Sequence, residues 1–137
     1  MSDLGSVYEF SEDLAKQEQP MPLPVGDYRA TVQAVEQAIS KNSGKRMMVI
    51  TYTVAPDQYP ADYTEGNPDG EQFKVYVSLQ DDARTRFRIR KLCEMHGVTP
   101  ARTLNLPDFI GQEVIVNVTH EEYQGEQRAR VSPVRQV

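Results

Sequence analysis

The sequence predicts an all-β domain with one helix, and three observations carry that prediction. Five stretches alternate apolar and polar residues, the pattern of half-buried strands. One stretch shifts to the 3–4 spacing of an amphipathic helix. That helical stretch lies between the third and fourth strands. At 137 residues the chain can bury one real core but not two, and its 39% apolar and 26% charged content is that of an ordinary globular domain.

Residues 1–22 form the first segment, acidic and without sustained periodicity, running into the proline-rich "QPMPLPVG" of residues 19–26; they predict a flexible tail and stiff linker, with the domain proper over 23–137. From Gly26, Tyr28, Ala30, Val32 and Ala34 alternate with Arg29, Thr31 and Gln33 until Val35 breaks the phase. This is a long strand with a bulge. "KNSGK" turns the chain, and Met48, Ile50, Tyr52 and Val54 form the apolar parity of the second strand. Residues 55–72 hold three prolines and two glycines, a long acidic loop expected to be flexible. "QFKVYVS" is the third strand, with Phe73, Val75 and Val77 inward and Lys74 and Tyr76 outward.

In "DDARTRFRIRKLCEMHG", Ile89, Leu92, Cys93 and His96 fall on one helical face, acids open the helix and Gly97 closes it. "LPDFIG" is a turn, and Val114, Val116 and Val118 mark the fourth strand. "EYQGEQ" is a hairpin tip, and "RARVSPV" is an edge strand expected to end at Pro133. Three strands, a helix and two strands is the order of the OB-fold, a five-stranded Greek-key barrel, in which a long bulged first strand serves both sheets.

The net charge is -5, yet its distribution matters more than its sum. Residues 1–25 carry -4 and residues 55–72 carry -5, which leaves +4 for everything else. No apolar run approaches the length of a membrane helix and no leader opens the chain, so a cytoplasmic protein without membrane association is expected. A lone cysteine, Cys93, fits a reducing compartment.

"ISKNSGKRMMVITYTV" raises the possibility of a phosphate loop and then excludes it. Gly44-Lys45 is followed by Arg46 where a Walker loop needs Ser or Thr, and the segment leads into a strand rather than a helix. What remains is a basic hairpin tip of Lys41, Lys45 and Arg46, either a grip on a nucleic-acid backbone or a polar turn that keeps a hairpin soluble. In an OB-fold this loop flanks the ligand groove. Lys74 and Tyr76 would add a phosphate contact and a stacking plane on the outward face, unless Tyr76 packs under the acidic loop. Tyr123, Arg128 and Arg130 could close the groove's other side or be plain edge-strand composition, and Arg29 is a further outward cation. The helix bases Arg84, Arg86, Arg88, Arg90 and Lys91 read as a solvated or protein-contacting face, the alternative being a secondary contact to a nucleic-acid backbone.

Catalytic and metal constellations are not legible. His96 and His120 are the only histidines, and His96 with Cys93 falls short of a zinc ligand set. Asp81 and Asp82 are explained by helix capping. The expectation is a non-enzyme without a cofactor.

"LPVGDYRATV", "SKNSGKRMMVITYTV", "IRKLCEMHGV" and "LPDFIGQEVIVNVTHEEYQGEQRARV" together resemble a phage-encoded family of small OB-fold proteins, often described only as a domain of unknown function. The resemblance spans residues 23–135. It implies single-stranded DNA binding in phage replication and recombination, inside the bacterial host cytoplasm. The acidic 55–72 loop departs from that picture, since it would repel a nearby strand. The chain ends "SPVRQV", without the acidic tip through which bacterial single-stranded DNA-binding proteins recruit partners, and "YEFSEDLAKQE" is the expected substitute for engaging replication or recombination proteins. The rival expectation is an OB-fold assembly module that uses its acidic loop and tail on a protein partner and binds no nucleic acid.

Overall fold

The computed structural model describes residues 4–137; residues 1–3 of the N-terminal segment, Asp3 among them, lie outside the described residues. Five strands, β1 (Gly26–Ile39), β2 (Arg46–Val54), β3 (Glu71–Ser78), β4 (Glu113–Tyr123) and β5 (Glu126–Gln136), form one antiparallel sheet in the order β3-β2-β1-β4-β5. The helix α1 (Ala83–Met95) lies between β3 and β4. The described residues are thus mostly β with one α-helix, as the periodicities predict.

Parity explains the core. Met48, Ile50, Tyr52 and Val54 of β2 are fully buried, as are Val114, Val116 and Val118 of β4. Each such side chain contributes about 1.5–3 kcal/mol relative to exposure. β1 pairs with both strands, and its ladder to β2 slips between Val32 and Ala34, so Gln33 is the extra residue. The bulge returns Val35 to the inward register opposite Ile50, which is the phase break seen in the sequence. Asp82 caps α1 by accepting from the Thr85 amide at 2.8 Å, and Gly97 takes φ +70° just beyond its end. The helix buries Leu92 and Cys93, and His96 at its C-cap is buried against Tyr52 and Phe109, so α1 closes one end of the core.

Three expectations need correction. The closed five-stranded barrel is not formed: β3 and β5 approach within 8 Å but share no ladder, leaving an open sheet with a seam between its two edges. Both edges carry cations, Lys74 on one and Arg128 and Arg130 on the other, and like charges across a seam oppose pairing. Pro133 does not end β5, which runs on to Gln136. The proline sits at a register shift on an edge strand, where a missing N–H is tolerated.

The third correction concerns the acidic loop, which is fastened rather than flexible. Tyr63 is buried and its hydroxyl donates to the Glu71 carboxylate at 2.7 Å, while Tyr59 donates to the Asn67 carbonyl at 2.8 Å. The two rings meet edge to face at 5.0 Å. The linker is tied down too: Leu23 is buried, and Gln19 exchanges two hydrogen bonds with the backbone of Gln127.

Candidate nucleic-acid interface

The seam is a groove of about 610 Å³ between β3 and β5, lined by Lys74 and Tyr76 on one wall and Arg128 and Arg130 on the other. A smaller recess of about 160 Å³ adjoins it, where the β1–β2 turn contributes Ser43, Lys45 and Arg46. Tyr76 lines both, and its ring is 63% exposed. The alternation of β3 produces this placement: Phe73, Val75 and Val77 turn inward, so Lys74 and Tyr76 must turn out. On the adjacent strand, Val49 and Thr51 stand opposite Tyr76 and Lys74, and Val49 is buried beside the exposed ring.

The electrostatics of the groove follow from its ion pairs. Arg130 is bound to Glu121 at 3.1 Å, and Glu121 is the acid that sequence reasoning missed in the groove lining. Its signal was available, since Glu121 stands two residues past Thr119, the ladder partner of Arg130 on an antiparallel pair. Lys45, Arg46, Lys74 and Arg128 have no ion-pair partner among the described residues. Arg128 instead lies over the Tyr123 ring at 4.4 Å, which orients its guanidinium along the hairpin.

Six of the nine sequence-derived candidates therefore converge: Lys45, Arg46, Lys74, Tyr76, Arg128 and Arg130. Tyr123 stands outside the groove lining and supports Arg128. Lys41 is exposed in the turn and lines neither recess. Arg29 is not brought to the groove: it pairs with Glu113 at 3.9 Å, and its amide reaches the side-chain oxygen of Gln58 in the acidic loop. Residues 55–71 line neither recess. Asp62 of that loop lies instead near the Tyr28 hydroxyl, whose ionisation is pushed up by burial and by this charge. Tyr76 is accordingly not packed under the loop.

No group of three or more His, Cys, Asp or Glu side chains is placed to hold a metal ion among the described residues. No helix among them is long and apolar enough to cross a membrane. A family described as a protein of unknown function (DUF669) has a model that matches residues 10–136. The chain belongs to that family. The family's span takes in the whole sheet, the groove and the second half of the N-terminal segment from Phe10, beyond the 23–135 over which the motifs were legible. No curated protein matches the sequence.

Proposed function

We propose that this member of the family binds single-stranded DNA with little sequence preference, coating exposed strands during phage replication and recombination in the host cytoplasm. The observation that carries the reading is the exposed Tyr76 ring, shared by two adjoining recesses and set among cations that lack acidic partners. A base stacks on any aromatic face, so such a site is tolerant of sequence, while the cations follow the phosphates. The strand order, and the helix between β3 and β4, support reading the sheet as an OB-fold barrel left open at one seam, with the strand lying along that seam. That residues 55–71 line neither recess lessens the electrostatic objection to this reading.

Titration with poly-dT at several salt concentrations tests this. Four unpaired cations predict a log–log slope of about -3, at about -0.7 per phosphate contact, with duplex bound far more weakly. Tyr76→Ala removes one stack and should weaken binding by about 1–3 kcal/mol, roughly 5- to 150-fold. Absence of binding at low salt overturns the reading.

A further inference from the structure

Another cavity, of about 630 Å³, lies between α1 and the segment that follows it, and shares Gln80 with the smaller recess. Its floor is apolar, built from Ile89, Cys93 and Leu104, and its rim carries three bases, Arg86, Arg90 and Arg102, against two acids, Asp81 and Asp108. Asp81 pairs with Arg86 and Glu94 with Arg90, but Arg102 has no acid within ion-pair distance among the described residues. The helix as a whole holds five bases against one acid, a net +4, and Phe87, one turn from Arg90, is left exposed. The cavity is apolar at its centre with a net +1 at its rim, and it lies against a helix of net +4.

The chain also carries its complement. In "VYEFSEDL", residues 7–14, Val7, Tyr8, Phe10 and Leu14 are all exposed, with Tyr8 80% and Phe10 57% accessible. Glu9, Glu12 and Asp13 give the same stretch -3 with no base. Tyr8 and Phe10 contact each other edge to face at 4.9 Å and stay outside the core cluster.

We propose that residues 7–14 of one copy dock in the α1 cavity of a second copy, Tyr8 and Phe10 on its apolar floor and the carboxylates against Arg102 and the helix. The chain's own tail does not fill its own cavity: none of residues 7–14 lines it, and Tyr8 and Phe10 stand exposed. Gln19, tied to the Gln127 backbone, anchors the segment at the β4–β5 hairpin and leaves residues 7–14 projecting from there toward a second copy. A tail-to-cavity contact between copies is heterologous, so it leaves a free cavity and a free tail at the ends and continues as a row. Such a row would set successive grooves along one strand, but the contact itself needs no DNA.

Sedimentation velocity of the full chain, without DNA, tests the inference. The wild type should associate beyond a dimer as concentration rises at low salt, and less so at high salt. Tyr8→Ala with Phe10→Ala abolishes the tail, and Arg102→Glu reverses the cavity's unpaired charge; each alone should lower association at least tenfold. All three side chains are exposed, so folding is expected to survive, and thermal melting checks that. The decisive arm mixes the two variants: an intact tail then meets an intact cavity, and the mixture should form a one-to-one dimer and stop there. A monomeric wild type at all concentrations, variants that associate like the wild type, or a mixture that stays monomeric overturns the inference. Because no nucleic acid is present, these outcomes are independent of the poly-dT titration.

Discussion

His96 is 1% exposed, and its two ring nitrogens are both committed. Nδ1 lies 2.6 Å from the Leu92 carbonyl, which can only accept, so Nδ1 carries the proton. Nε2 then accepts from the Tyr52 hydroxyl at 2.7 Å. The ring is neutral in this arrangement, and burial pushes its pKa below the ordinary value, the Leu92 bond opposing only in part. The unfolded chain takes a proton near pH 6.5 and the folded one resists it, so His96's contribution to stability is full above about pH 6.5 and declines as pH falls toward the folded pKa. Asp27 and Asp82 are held low, by the Asn117 side chain and the Thr85 amide respectively, and their contributions are lost only below about pH 4. Urea denaturation of the wild type should therefore show stability falling between pH 6.5 and 5, and His96→Leu should flatten that interval while leaving the acid limb below it. Tyr52→Phe strands the Nε2 acceptor and should cost about 1–3 kcal/mol at pH 7. A wild type whose stability is constant from pH 7 to 5 contradicts the assignment.

At the scale of elements, what was legible in the sequence was what is local. Strand parity depends on neighbours two residues apart, so the inward sets of β2 and β4 and the phase break at Val35 could be read directly. The cap at Asp82 and the stop at Gly97 are equally local. The acidic loop was misread because its anchors are not periodic: Tyr63 meets Glu71 and Tyr59 meets Asn67 across eight residues, and neither spacing belongs to a repeating element. The open seam was hidden for the same reason, since only the packing of β3 near β5 decides whether two edges pair. In the site, β3's outward residues were readable, whereas the removal of Arg29 from the groove depended on Glu113 and Gln58, which no local pattern places beside it. Gly66 makes the loop's fastening testable. A Cβ there would stand 2.5 Å from the Tyr63 ring and 2.6 Å from the Tyr59 ring, so Gly66→Ala must displace one of them. Limited proteolysis should then cut within residues 57–69 several times faster than in the wild type. Unchanged cleavage would mean the rings do not hold the loop.

For the whole molecule, the question is how a chain of net charge -5 can attract a polyanion. The answer lies in separation: charges farther than a Debye length, about 8–10 Å, are largely screened, so a strand in the seam senses Lys45, Arg46, Lys74 and Arg128 far more than a remote carboxylate. The fastened loop keeps its five acids off the groove lining. Cations are therefore not interchangeable, and position predicts their effect. Lys74→Gln and Arg128→Gln should each reduce the magnitude of the poly-dT salt slope by about 0.7, one phosphate contact apiece. Arg29→Gln lowers the total charge by the same amount but acts at a side chain already engaged with Glu113 outside the groove, so its slope should match the wild type's. If all three substitutions change the slope equally, binding follows net charge alone, and the seam has no special claim to the strand.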